Sequence, residues 1–127
     1  MNAPLVPVSW GELIDKITIL EIKHARITRT DARAHVAAEL AALQAVYDPI
    51  RTAMIADLKE RLSKVNTELW EIEDDIREHE REKRFDADFI ALARAVYRTN
   101  DKRAVLKREI NQLLSSDLVE EKNYAAY

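Results

Sequence analysis

The chain has no cysteine, one glycine and three prolines in 127 residues. Without cysteine there are no disulfides, thiolate zinc sites or cysteine nucleophiles. One glycine cannot build a glycine-rich phosphate loop, and so little glycine and proline leaves few of the turns that sheets consume. No apolar run approaches the roughly 20 residues that cross a bilayer. The opening "MNAPLVPVSW" lacks the basic stretch and long apolar run of a secretory signal. No charge sign dominates either. Lys and Arg number 20 against 23 Asp and Glu, a formal net charge of -3. The two signs are interleaved, so no basic face offers itself to nucleic acid. These absences predict a soluble cytoplasmic protein that binds neither membrane nor nucleic acid.

What the chain does have is abundant Ala, Leu, Glu, Lys and Arg, the composition of helices. The fold class expected is all-α, an antiparallel helical bundle built on a long coiled-coil-like hairpin, with residues 1–127 as one domain. Residues 1–8 read as an arm. Residues 9–47 read as two covering helices, 49–114 as the hairpin and 115–127 as a polar tail anchored by Leu118 and Tyr124. In "SWGELIDKITILEIKHARI", Ser9 and Glu12 have capping-box spacing. Leu13, Ile17, Leu20 and Ile27 mark one apolar face, widened by Trp10 and Ile14, while Ile19 and Ile22 lie away from that stripe. Thr30 or Asp31 can cap a second, alanine-rich helix carrying Val36, Leu40, Leu43 and Tyr47. Asp48-Pro49 suits the start of a third helix. There Ile55, Leu58, Leu62, Val65, Leu69, Ile72, Ile76 and His79 alternate by three and four, a heptad seam. After a turn in "EKRFDAD", capped by Asp86 or Asp88, Phe89, Leu92, Val96, Thr99, Arg103, Leu106, Ile110 and Leu113 keep the same rhythm.

A short turn makes the third and fourth helices antiparallel neighbours. Setting Leu62 opposite Leu106 brings Arg61 beside Glu109 and Glu68 beside Lys102, both of opposite sign. Helices of about 30 residues are roughly 45 Å long, while a compact domain of this size is nearer 30 Å across. Helices that outrun their own chain find partners in another, and the expectation is a homodimer.

The fourth seam is interrupted by polar residues. Thr99 and Arg103 take seam positions with Asn100 beside them, and in the register above Asn66 faces Asn100. Trp70 and Glu73 lie within a turn or so, and Tyr97 and Lys107 flank the layer. Such a layer has two readings. It can fix register at some cost in stability, or it can bind a ligand, with Trp70 and Tyr97 as walls and Arg103 and Lys107 holding an anion. On the residues alone the structural reading is preferred. If there is a ligand site, its residues are Asn66, Trp70, Glu73, Asp74, Arg77, Tyr97, Asn100 and Arg103, with Glu73 and Arg103 as the charged centre.

The segments "VPVSWGELIDKITILEIKHARI", "NTELWEIEDDIR" and "FIALARAVYRTNDKRAVLKREINQLL" together resemble an uncharacterised bacterial helical family, a domain of unknown function associated with genes for surface-polysaccharide and glycosyltransferase work. The resemblance covers nearly the whole chain, with the stretch from Leu43 to Asp57 least typical. It implies the helical fold and points at the same polar layer, and it carries no activity.

Catalytic readings fare less well. Glu68, Glu71 and Asp74 could hold Mg²⁺ as in an all-helical nucleotide pyrophosphohydrolase, the alternative function. The facing helix, however, offers Arg98, Lys102, Arg103 and Lys107 instead of a second acidic pair. Lys16 and Arg26 on the first helix faintly resemble the carboxylate binders of a helical chorismate mutase, whose remaining pattern is absent. Glu21 and His24 have ligand spacing with no second such motif, and His35 and His79 read as packing or surface. No metal, cofactor or catalytic residue is therefore expected. The function expected is an interaction or accessory protein linked to surface-polysaccharide metabolism. Its expected partners are a second copy, another protein or an anionic small molecule.

Overall fold

The computed structural model describes residues 1–127. Four α-helices and one 3-10 turn follow in order, with no strand: α1 (Trp10–Arg26), α2 (Thr30–Tyr47), the 3-10 turn (Asp48–Ile50), α3 (Ala53–Arg81) and α4 (Ala87–Leu113). The fold class is all-α, as the composition predicts. Caps mark the starts. Ser9 Oγ accepts the Glu12 amide, Thr52 Oγ1 accepts the Ile55 amide and Asp86 Oδ1 accepts the Phe89 amide. Each satisfies an amide that has no partner inside its helix. Glu12 does not complete a capping box. Its carboxylate turns to Lys107 at 2.8 Å instead.

Asp48-Pro49 does not open α3. The pair forms the 3-10 turn, and the helix starts at Ala53, where Thr52 supplies the side-chain cap. The ends of α3 and α4 share one device. Lys83 and Ser115 have φ of 56° and 49°. In both cases the next residue's amide reaches back over the last turn: Arg84 to the His79 carbonyl at 2.9 Å and Ser116 to the Asn111 carbonyl at 2.8 Å. This is a Schellman ending, usually made with glycine at the left-handed position.

α3 and α4 form the antiparallel hairpin. α1 lies against both, and α2 lies along α1 on the side away from the hairpin. α1 covers the hairpin, and α2 reaches it at its end, through Tyr47. The reason is visible in α2, whose alanines give no strong stripe and whose one buried residue is Tyr47. The core joins Leu13, Ile14 and Ile17 of α1, Tyr47, Ile55, Leu58 and Leu62 of α3, and Leu106 and Ile110 of α4. Leu62 and Leu106 share that cluster, and Arg61 lies 4.0 Å from Glu109. Both fit the register drawn from the heptads. Away from α1 the hairpin tip is held by its own aromatics, with Phe85 edge-on to Phe89 at 5.3 Å.

Candidate functional site

α1 and α4 run antiparallel and are joined by polar contacts along one line. Gly11 opens it. Its amide donates to Asn111 Oδ1 at 2.7 Å. A Cβ on Gly11 would stand 2.5 Å from the Lys107 carbonyl oxygen, so only glycine lets the two backbones come this close. One turn on, Lys107 Nζ donates to Glu12 at 2.8 Å and to Glu120 of the C-terminal segment at 2.7 Å. A further turn brings Asp15, a fully buried acid. Arg103 forks onto it, with Nε donating to Oδ1 at 2.9 Å and Nη2 donating to Oδ2. From α3, Asn66 Nδ2 donates to Asp15 Oδ1 at 2.9 Å and to Thr18 Oγ1 at 2.8 Å.

Every strong acceptor here is occupied. A bidentate guanidinium and an amide take three of the four acceptor positions of Asp15, and the carboxylate is fully buried, so it is not placed to take a proton from a substrate. Burial works against the Lys107 ammonium, but its bonds to Glu12 and Glu120 outweigh this and hold its pKa above the usual lysine value. The Glu120 carboxyl is held below its usual value chiefly by the Lys107 hydrogen bond. Arg103 and Lys107 meet Asp15, Glu12 and Glu120, two cations against three carboxylates. The inner four balance without the one from the C-terminal segment.

That segment turns back along α4. Ser116 Oγ accepts the Trp10 amide at 3.2 Å, Glu120 sits on Lys107, and the Tyr127 hydroxyl donates to Asp101. The Tyr127 ring lies edge-on to Tyr97 at 5.1 Å. The anchors are Ser116, Glu120 and Tyr127, while Leu118 and Tyr124, expected to hold the tail, are exposed. Between tail and α4 lies a cleft of about 990 Å³, lined among others by Tyr97, Asn100, Lys107, Arg108, Lys122 and Tyr124. Its size is at the upper end of small-molecule pockets.

The eight residues singled out from the sequence separate into three groups. Asn66, Asn100 and Arg103 come together, the last donating through Nη1 to Asn100 Oδ1 at 3.4 Å. Asn66 is bonded to Asp15 and Thr18 instead of facing Asn100. Tyr97 joins the cleft. Trp70 is half-buried on α3, and Glu73, Asp74 and Arg77 are exposed, Arg77 pairing with Glu73 at 3.2 Å one turn away. The carboxylate that meets Arg103 is Asp15, not Glu73. Asp15, Thr18, Glu12, Asn111 and Glu120 were not among the eight. The lone glycine was the available signal, since a glycine inside a helix marks a close approach.

The acids weighed for Mg²⁺ do not gather. Glu68, Glu71 and Asp74 are exposed, and Glu71 pairs with Arg26 at 3.2 Å. Lys16 is spent on Glu39.

The fold and this line define an all-α bundle whose first helix is keyed into a helical hairpin by a buried ionic network. The chain belongs to the family of unknown function DUF6165, which its sequence matches over residues 5–127. No curated protein and no solved structure matches it.

Proposed function

We propose that the chain is an accessory module that binds a small anionic molecule in the cleft between α4 and the C-terminal segment. One observation carries this reading. A carboxylate on the C-terminal segment, Glu120, sits on the nearly buried Lys107 at 2.7 Å, at the edge of a cleft walled by tyrosines. The inner ions balance without Glu120, so an incoming phosphate or carboxylate can take its place on Lys107. Asn100 supplies hydrogen bonds, and Tyr97 and Tyr127 offer the flat apolar faces that stack on sugar rings or bases. Sugar phosphates are the ligand class with both features. The resemblance noted above supports a setting in surface-polysaccharide metabolism. The Asp15–Arg103–Asn66 layer beneath is architecture that positions the cleft.

The test is a thermal-shift screen against sugar phosphates, sugar nucleotides and nucleotides, with and without Mg²⁺. Tyr97→Ala and Asn100→Ala are the site variants, with Glu73→Gln as a surface control. A ligand at about a hundred times its dissociation constant adds roughly 2.7 kcal/mol of stability. Binding in the cleft shifts wild type and control and leaves the two site variants unshifted. No shift in any protein, or equal shifts in all four, removes the reading.

The pairing of two copies belongs to the same proposal. Met54 and Leu113, 64% and 42% exposed, line a shallow groove with Arg61 and Glu109, and Val105 stands exposed one turn from Glu109. These apolar residues lie on the hairpin outside the core shared with α1. Sedimentation equilibrium of wild type against Met54→Glu and Val105→Glu tests the pairing. A monomeric wild type rules it out.

A further inference from the structure

At the far end of the hairpin, away from the cleft, His79 ends the seam of α3. It is only 9% exposed, and its Nε2 is buried without a hydrogen-bond partner. Its Nδ1 is paired with the Asp75 carbonyl at 2.9 Å. A carbonyl only accepts, so Nδ1 carries the proton and Nε2 presents a lone pair. A lone pair held this way has no use in packing. Two carboxylates stand near the ring. One ring nitrogen of His79 and one oxygen each from Asp86 and Asp88 lie within 4.8 Å of one another.

We propose that His79, Asp86 and Asp88 form a divalent transition-metal site, with Zn²⁺ as the fitting ion. The carbonyl behind the imidazole is the usual outer partner of a metal-bound histidine, fixing both tautomer and ring orientation. One neutral nitrogen with two carboxylates suits Zn²⁺ better than Mg²⁺ or Ca²⁺, which prefer oxygen alone. A tetrahedral ion with bonds of about 2.0–2.2 Å sets its ligand atoms roughly 3.4 Å apart. Both carboxylates are exposed; Asp88 can swing inward to that spacing, while Asp86 is held by its cap. One oxygen of Asp86 caps α4 through the Phe89 amide, at 3.1 Å, which leaves its other oxygen for the ion. The same amide holds the Asp86 carboxyl below its usual pKa. The nearby Arg84 is occupied by Glu82 at 2.6 Å. The ligands come from the last turn of α3 and the first turn of α4. A bound ion clamps the turn between them.

The experiment titrates ZnSO₄ into the full chain by calorimetry and Co²⁺ by visible absorption, while ¹⁵N–¹H spectra follow the His79 ring. His79→Gln, Asp86→Asn and Asp88→Asn run alongside. Asparagine retains the helix cap at position 86, so the aspartate variants keep the fold. Expected are a saturable one-to-one isotherm, the absorption of four-coordinate Co²⁺ and a shift at His79 Nε2. Each variant should weaken binding by at least about tenfold, as losing even outer partners of a metal does. Binding that the three variants leave intact would place the ion at His24 or His35 and overturn the proposal. So would no binding at all, or a free-protein spectrum with the proton on Nε2.

Discussion

Arg103 of α4 and Asp15 of α1, 88 residues apart in sequence, meet as a two-pronged pair in which the carboxylate is buried and the guanidinium reaches solvent at its edge. The asymmetry sets what each substitution does. Asp15→Ala leaves Arg103 half-buried, Lys107 short of a neighbour and the Asn66 amide with Thr18 alone as acceptor. Breaking a buried pair from one side costs about 3–5 kcal/mol, so urea unfolding should show most of that loss. Arg103→Met leaves a fully buried carboxylate with only Asn66 and with Lys107 at 4.0 Å, and should cost at least as much. A double-mutant cycle that finds no coupling between the two would contradict the geometry.

Gly11→Ala tests the close approach of α1 and α4. The new methyl collides with backbone, which cannot swing aside as a side chain would. Overpacking costs about 1–3 kcal/mol, and this position should fall at the top of that range. A melting temperature equal to wild type would show that the helices stand further apart than described.

Acid should release the C-terminal segment before it unfolds the bundle. Glu120 has a folded-state pKa below its unfolded one. Its contribution is therefore present above the usual glutamate value, about 4.3, and is lost as pH falls through the depressed value. Lys107 is shifted the other way. Its contribution is complete below the usual lysine value and fades only as pH climbs past the raised one. Contacts of residues 117–127 with α4, followed by side-chain NMR shifts at Tyr97 and Tyr127, should be lost as pH falls below about 4.3, with amide protection in α1 unchanged. In Glu120→Gln the segment should be loose at every pH.

Lys83→Gly and Ser115→Gly should each stabilise the protein by about 0.5–1 kcal/mol, because a left-handed conformation strains a side chain and suits glycine. Guanidinium midpoints would register the gain. A loss at Lys83 would mean that its side chain makes a contact worth more than the strain.

How much of this could be read without coordinates differs from element to element. The hairpin and its register were legible because apolar side chains repeated every three or four residues. The Arg61–Glu109 pair follows from that repeat, although Glu68 and Lys102 make no ion pair. The start of α3 was not, since a Pro after an Asp serves a 3-10 turn as well as a helix. The place of α2 was not, because a helix rich in alanine declares no preferred face. In the polar layer, Asn100 and Arg103 betrayed themselves by interrupting a seam. Asp15 did not. An acid on a helix is solvent-facing by default, and its partners Asn66, Arg103 and Lys107 lie 51 to 92 positions away. Glu73 looked equally suitable from spacing, and only the placement of α1 separates the two.

That placement also bears on how the chain is made. α1 leaves the ribosome first, yet Leu106, Lys107, Ile110 and Asn111, which cover it, are made near the end. Until then its buried face can meet only α2 and α3, which leaves the side that faces α4 open. Translation proceeds at about 5–20 residues per second, so for a few seconds a nascent α1 waits without its α4 partners. Asp15 waits with it, and its charge is met by Arg103 only when α4 arrives.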